Sequence, residues 1–489
     1  MSKPKITSFE ASNAQSFGDI ISSNHKNNNI KVGLLGCGYF EYWRMYPALE
    51  KKVAGDLRKI QKRLSSFCDL VYPCMVDTLD AAELAGNKFV QEKIDLIVIA
   101  EGTYLPDFIV LHVLDKIRHV PVIFFNTQTG ADVSPFDDYP ATMRNSALIG
   151  LSQLSGTFRK TDRKYDVVVG EISDENAYSI LKKHIQSVRI AKKLTSYNIG
   201  IIGHVFRGMY DLEYDRSKIR GFLGPEIISI QMEHLIDIWK SVSEKTAKAE
   251  AAKLFARFKS KHVTIDDAVR SVRLGLAMKE IVRKFNLDAL CFLGQHYIEK
   301  VTGAPARLGA SILMEKENIT VACEGDIGGL IMMEMMKDLT GNIPLQAEWG
   351  QFDKKNNAIF LLGHGIATPE MASSDKSVTL TRSPEEWGFK GNGINYELIM
   401  KPGPVTMGHF LHTANGWRMF ISEGEAIEFP CLPCDEIHAM IKVETPVESY
   451  IRNVLETGTA HHVIVVHGSV SEELSLISDR IGIDKAFLK

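Results

Sequence analysis

Along its first two thirds the chain alternates short unbroken apolar runs with stretches of helical periodicity. IKVGLLGCGYF from Ile30, LVYPCMV, IDLIVIAEG and VPVIFFNT are strand-sized and almost free of polar positions. A strand covered on both faces has that texture. Helical patterns separate them, one from about Trp43 to Ser65 and one in FIVLHVLDKIR. The alternation restarts near Tyr165. KYDVVVGEI, NIGIIGHVFRG, LDALCFLG and ITVACEGD predict strands. AYSILKKHIQSVRIAKKL, the charged Ala-rich stretch from Asp237 to Ser260, Ile265 to Phe285 and IGGLIMMEMMKDLTG predict helices. Strands alternating with helices predict parallel sheets with helices on both faces.

After about Asn342 the texture changes. NAIFLLGHG, YELIMKPGPVTMGHFL and GWRMFISEGEAIEF are strand-like and joined by Gly, Pro and Asn turns, with helix signals almost absent until Glu448. That predicts a mainly antiparallel, barrel-like β unit. TAHHVIVVHGS and SEELSLISDRIG then predict a strand and a helix at the end. The expected organisation is a polar Ser- and Asn-rich arm over 1–29, an α/β domain over 30–165, a second over 166–341 and a β-rich domain over 342–489. A chain of 489 residues is long enough for two to four cores of ordinary size.

Composition narrows the function classes. With 57 basic and 60 acidic residues the net charge is −3, which gives no pull toward nucleic acid or an acidic membrane surface. No apolar stretch reaches the ~18 residues of a membrane helix. The N-terminus has a lysine pair without a following apolar block, so a cytoplasmic protein is expected. Seven cysteines, an odd number, fit reduced thiols better than a disulfide framework. Cys431 and Cys434 form one CxxC with no second pair to complete a zinc site.

The strongest chemical signal is ITVACEGDIGGL, which puts Glu324 where an apolar strand ends and a helix begins. In open α/β sheets the carboxyl ends of strands face the ligand crevice. Asp326 reads as the N-cap of the following helix. Glu348 in LQAEWGQF, His364 between two glycines in FLLGHGIA, and the pair His461 and His462 in GTAHHVIVV follow downstream. Two carboxylates with two imidazoles suit a divalent ion such as Mn²⁺, Co²⁺ or Fe²⁺.

Weaker signals have structural readings. GCGYFE supplies Gly36 and Gly38 but carries Glu41 where a dinucleotide fingerprint needs its third glycine, and a pyrophosphate would meet that carboxylate. Met332, Met333, Met335 and Met336 read as helix packing. His409 and His412 lie three apart in a strand and so face opposite sides of a sheet. His467 reads as a satisfied structural histidine, and His204 beside Arg207 stays open.

The order EGD, AEWGQF about two dozen residues on, LLGHG and GTAHH near the C-terminus resembles the L-arabinose isomerase family, collinearly over roughly residues 30 to 480. FFNTQTGADVSPFDD, IGHVFRGM and GPVTMGHFLHTANGWRMFISEGEAIE are similar to further segments of that family. The resemblance implies two Rossmann-like α/β domains plus a β-rich C-terminal domain, and an aldose–ketose isomerase working on a monosaccharide with a divalent metal, typically Mn²⁺. It implies Glu324, Glu348, His364 and His462 as metal ligands, with Glu324 and Glu348 also as the acid/base pair acting through an enediolate. It implies a homo-oligomer, a trimer or hexamer, with active sites near subunit contacts.

Around the sugar the chain departs from the family. GCGYFEYW with Cys37, Gly38 and Tyr39 replaces a Gly-Ser-Gln-His-Leu-type loop, and Asn126, Thr127 and Gln128 replace His-Thr-Gln. Trp349 to Phe352 replaces a tyrosine-rich stretch, and Gly365 replaces a methionine. Tyr39, Gln128, Phe206, Arg207 and Trp349 are therefore the expected sugar contacts. The expected reaction is of the type L-arabinose to L-ribulose or D-galactose to D-tagatose. The alternatives are an isomerase or epimerase of a different sugar, or a sugar-binding protein without turnover.

Overall fold

In the computed structural model of the chain the described residues are 30–292, 295–385, 390 and 392–488, so the expected polar arm over 1–29 lies outside them. The described chain divides into two compact units, one ending at Arg189 and the other starting at Ile190.

The first unit is built on one parallel sheet of β1 (Lys31–Cys37), β2 (Asp69–Val71), β3 (Met75–Val76), β4 (Leu96–Glu101), β5 (Val122–Gln128) and β6 (Asp166–Glu171). The strand order is β2-β1-β4-β5-β6, with β3 also pairing β1. All six residues of β4 are buried, because apolar cores lie on both sheet faces. The helix Pro47–Leu64 puts Leu49, Val53, Leu57, Ile60 and Leu64 into one of these cores, a stripe at helical spacing. The LVYPCMV run is two short strands rather than one, because Pro73 has no N–H to carry the ladder through. The expected boundary at 165 falls inside this unit: β6, placed above in the central domain, is the edge strand of the first sheet, registered residue for residue on β5.

The second unit holds two sheets. β7 (Asn198–Ile202), β8 (Glu226–Ile230), β10 (Ala289–Phe292) and β11 (Thr320–Cys323) form a parallel sheet in the order β11-β10-β7-β8, with β9 (Lys259–Ser260) outside it. Every residue of β7, β10 and β11 is buried; their two polar residues are satisfied, Asn198 by donating to the Asn286 carbonyl and Thr320 by donating to Glu334. The single helix expected from Asp237 to Ser260 is two, Met232–Ser241 and Glu244–Arg257. Ser243 sits in extended conformation between them and caps the second by accepting from the Thr246 N–H.

The remaining strands are β12 (Leu345–Asp353), β13 (Ala358–Gly363), β14 (Thr379–Arg382), β15 (Ile394–Ile399), β16 (Gly403–Thr413), β17 (Gly416–Ala426), β18 (Ile437–Lys442), β19 (His462–His467) and β20 (Asp484–Leu488). Antiparallel pairing runs β17-β16-β19-β12-β13-β18 and returns from β18 to β17 through Glu425–Lys442 and Ala426–Ile441. Six strands thus close into a barrel, and closure removes the exposed edges that an open sheet would leave. The expected division at 341 is a junction inside one unit. Leu254, Val272, Leu308 and Ile312, from helices before that point, share one apolar core with Leu345, Leu361, Tyr396 and Val463 of the β region. The four methionines of the helix Ile327–Thr340 are fully buried in the neighbouring core. Among the described residues no helix is long and apolar enough to cross a membrane.

Candidate metal centre

β11 ends at Cys323, and the next two residues turn sharply with φ of 64° at Glu324 and 81° at Gly325. A left-handed conformation is strained for a glutamate and of order 1–3 kcal/mol, so the surroundings must hold it. Gly325 is required twice: its φ is positive, and a Cβ there would stand 2.6 Å from the Val205 Cα. This close approach seats the loop after β7 against the turn, where the Phe206 N–H donates to the Glu324 carbonyl at 3.3 Å. Asp326 then caps the helix Ile327–Thr340 by accepting from the Gly329 N–H at 2.7 Å, as expected.

The barrel supplies the other ligand-type side chains from three adjacent strands. Glu348 on β12 is registered directly opposite His462, the first residue of β19. His364 follows the last residue of β13, whose Leu362 is Glu348's partner on the other side. Consequently one oxygen each of Glu324 and Glu348 and one nitrogen each of His461 and His462 lie within 4.8 Å of one another. His364 Nε2 stands 3.0 Å from His462 Nε2 and 3.8 Å from Glu348 Oε1. His462 Nε2 lies 3.2 Å from Glu324 Oε2. Cys323 Sγ, Glu324 and His364 form a second group with the same spacing limit. The expected set of Glu324, Glu348, His364 and His462 is thus brought together.

The electrostatics of the cluster follow from its burial. Burial alone would raise the Glu324 carboxyl, but hydrogen bonding from His461 and His462 holds it far below the usual range. Burial, reinforced by the Glu324 charge, pushes Glu348 up. Burial and the neighbouring His462 push His364 down to about 3. His462 resists its own burial and is raised to about 9 by Asp326 and Glu324.

These residues fit a divalent cation. Two imidazole nitrogens facing each other at 3.0 Å direct lone pairs at one point, which is unfavourable unless a proton or a cation lies there. Glu324 Oε2 and His461 Nε2 are buried without a hydrogen bond of ordinary geometry, the imidazole nitrogens nearest that oxygen being His462 Nε2 at 3.2 Å and His461 Nε2 at 3.8 Å. Carboxylate oxygens mixed with imidazole nitrogens suit an ion of Mn²⁺, Co²⁺ or Fe²⁺ type.

His461 was not in the expected ligand set, and the structure adds it. Its Nδ1 pairs with Asp211 Oδ2 at 2.6 Å, and its backbone N–H donates to the same oxygen at 3.0 Å. The His-His pair was the available signal; Asp211, about 250 residues away in sequence, carried none. Gln346 was also missed. It bonds both backbone groups of Cys323, with its Oε1 accepting at 2.7 Å and its Nε2 donating at 3.4 Å, which ties β12 to the end of β11.

The expected sugar contacts are distributed otherwise. Phe206, half-exposed, and Arg207, exposed, belong to the loop seated on the Glu324 turn. Trp349 follows Glu348, but its ring packs on Phe420 and Tyr450 and its Nε1 donates to the Ala460 carbonyl at 3.1 Å. Tyr39 and Gln128 belong to the first unit. Tyr39 stacks edge-on against Tyr42 and Tyr104, and Gln128 Nε2 donates to the Gly130 carbonyl at 2.8 Å.

Cys431 and Cys434 make a different kind of place. His438 Nε2 accepts from the Leu432 N–H at 3.0 Å, and its Nδ1 faces the Glu436 carbonyl at 3.2 Å. Both ring nitrogens are used, and burial pushes the Cys431 thiol up to about 11. His467 bonds the Lys401 carbonyl through Nε2 at 2.8 Å, the structural role expected of it.

No family model matches the chain. Among curated proteins it is similar to a sulfoquinovose isomerase of Alkalicoccus urumqiensis, 25% identical over 67% of this chain and 73% of that one. It is similar to sulfoquinovose isomerases of Priestia aryabhattai and Priestia megaterium, each 19% identical over 85% of this chain and 91% of theirs. A solved periplasmic sugar-binding protein of an ABC sugar transporter from Legionella pneumophila aligns at 14% identity over 61% of this chain and 100% of that one. Its TM-score of 0.15 carries no argument. The chain is an isomerase, and its relatives support a place among sugar isomerases without reaching arabinose isomerase in particular.

Proposed function

We propose that this chain interconverts an aldose and a ketose, that its reaction centre is the Glu324–Glu348–His364–His462 cluster, and that the cluster holds a divalent cation, most simply Mn²⁺. Sulfoquinovose is the first substrate to test, because all three curated relatives carry that name. L-arabinose and D-galactose follow on the strength of the motif order. A cytoplasmic homo-oligomer, trimer or hexamer, completes the reading.

The observation that carries it is the convergence of two carboxylates and three imidazoles within a few ångströms at one strand end, with buried acceptors left unpaired. Moving a carbonyl between C1 and C2 takes a proton off one carbon and returns it to the next, which needs a carboxylate within ~3 Å of both. Glu348, with its carboxyl raised by burial, is the better proton carrier; Glu324, held ionised by His461 and His462, is the fixed anion beside it. Asp326 accepts the Nδ1 hydrogen of His462 at 2.9 Å, so a cation that displaced the other ring proton would find Nε2 as the ring's lone pair toward the cluster. A bound cation would polarise the carbonyl and offset the negative charge that develops between C1 and C2.

The test is turnover of sulfoquinovose, L-arabinose and D-galactose by chelated protein and by the same protein reloaded with Mn²⁺, with Glu348→Gln in parallel. The reading expects one sugar to be isomerised by reloaded wild type alone. Conversion that survives chelation, or reloaded protein inert on every sugar, would contradict it.

A further inference from the structure

Behind the cluster lies a second, fully buried layer of polar groups. Asp326 is 0% exposed, and four groups point at its two oxygens. These are the Gly329 N–H at 2.7 Å, His462 Nδ1 at 2.9 Å, Gln346 Nε2 at 3.3 Å and His409 Nε2 at 3.0 and 3.2 Å. His409 comes from β16, the barrel strand that faces the start of the helix Ile327–Thr340, and is itself 1% exposed. The approach is tight: a Cβ on Gly328 would stand 2.0 Å from the Phe410 carbonyl and 3.2 Å from the His409 ring. Glycine at 328 is what lets the strand bring His409 to the carboxylate.

An ionised carboxylate only accepts, so every nitrogen that faces Asp326 carries its hydrogen toward it. Gln346 Nε2 and His462 Nδ1 lie 2.9 Å apart, and with hydrogens on both, the carboxylate is the shared acceptor. His409 Nδ1 is buried and has no hydrogen-bond partner, so the ring's polar contact is the one to Asp326. An unpaired buried nitrogen is a cost, and the ring bears it at the spot where its other nitrogen touches the carboxylate behind His462.

We infer that His409 is a positioning residue for the cation site: through Asp326 it keeps the His462 ring in the tautomer and orientation that leave Nε2 open toward Glu324 and His364. This rests on the proposed cation site. Groups hydrogen-bonded behind a ligand histidine tune metal affinity by about 10–100-fold.

The experiment is Mn²⁺ titration of metal-free full-length protein, followed by calorimetry and by loss of the free-ion EPR signal, on wild type, His409→Leu, His409→Gln, Asp326→Asn, the Leu/Asn double variant and Glu324→Gln. Circular dichroism and melting are checked on each. His409→Leu is expected to weaken Mn²⁺ binding about 10–100-fold. His409→Gln keeps a donor for Asp326 and is expected to stay within about threefold of wild type, since the hydrogen bond is retained. The double variant is expected to bind as weakly as Asp326→Asn alone, because residues on one path are not additive. Folded His409→Leu with wild-type affinity, or full additivity in the double variant, overturns the inference while leaving the cation site standing. If the leucine variant does not fold, the glutamine variant decides: near-wild-type affinity supports the relay, and a loss as large as that of Asp326→Asn overturns it. Wild type that binds no Mn²⁺, indistinguishable from Glu324→Gln, overturns the cation site itself and the inference with it.

Discussion

Two parallel strands of this molecule, β4 inside its sheet and β11 at the edge of its own, run into the same Glu-Gly pair, and their glutamates have opposite fates. β4 ends at Glu101 before Gly102, and β11 is followed by Glu324 and Gly325. Glu101 is 1% exposed, neither oxygen meets a partner of ordinary geometry, and only a weak pull from the Leu105 N–H opposes its burial. Burial, helped by the Asp107 charge, pushes its carboxyl far up. It fits there because residue 150 is glycine, whose missing Cβ would lie 1.7 Å from Glu101 Oε2. Glu324 is also largely buried, yet His461 and His462 override that burial and keep it ionised. The difference lies in what long-range pairing delivers: β12, β13 and β19 of the barrel bring Glu348, His364 and His462 to one strand end. In the proposed function, a carboxylate at the end of a parallel strand serves as a reaction centre through its neighbours, and not through its own position.

The sharpest way to break this contrast is to neutralise each glutamate in turn. Glu324→Gln, which removes the fixed anion and a ligand of the proposed cation, is expected to lower isomerase turnover about 10²–10³-fold, the usual cost of losing one group of an electrostatic centre. Glu101→Gln is expected to leave turnover unchanged, read side by side on the substrate that wild type converts. Equal losses from both substitutions would erase the distinction.

The next effect is on the turn that presents Glu324. Gly325→Ala is expected to destabilise the chain by roughly 2–4 kcal/mol, from a left-handed alanine and a forced contact with Val205, read as a shifted urea midpoint.

Much of this was legible in the chain, for local reasons. Short apolar runs such as ALCF and TVAC, in which Thr320 is the single polar residue, read as buried strands, and the EGD turn, the glycine-flanked His364 and the His-His pair stand out wherever the chain folds. What escaped depends on pairing across long stretches. Asp166–Glu171 has the composition to open a new domain, but its register on β5 makes it an edge strand of the first sheet. The helices before residue 341 share a core with the barrel, which no local pattern encodes. Asp211 and Gln346 are ordinary polar residues by sequence, and only the folded chain sets them against His461 and Cys323. The single helix expected up to Ser260 ignored Ser243 as a cap.

A smaller, pH-dependent effect sharpens the comparison from the Glu101 side. In the unfolded chain this carboxyl loses its proton near 4.5, whereas in the folded chain it keeps it to higher pH. Over that window the folded state binds more protons, so stability is present at low pH and drains as pH rises. Glu101→Gln is therefore expected to raise the melting temperature at about pH 8 and to change it little at about pH 4, where both states of wild type are protonated. An equal shift at both pH values would show that Glu101 does not titrate this way.

The smallest effect belongs to the CxxC turn, whose His438 accepts from the Leu432 N–H through Nε2 and shares Nδ1 between the Glu436 carbonyl and the Cys434 thiol at 3.7 Å. Cys431→Ser with Cys434→Ser is expected to leave Mn²⁺ content and turnover unchanged and to move stability by no more than about 0.5 kcal/mol, as surface substitutions do. Lost metal on this double variant would place a second ion there.

The most direct test of the central claim is anomalous diffraction at the manganese edge from crystals grown with Mn²⁺. The account predicts one strong peak bounded by Glu324, Glu348, His364 and His462, absent from crystals of Glu324→Gln. A peak elsewhere in the chain with this cluster empty, or one that persists unchanged in the variant, would contradict it.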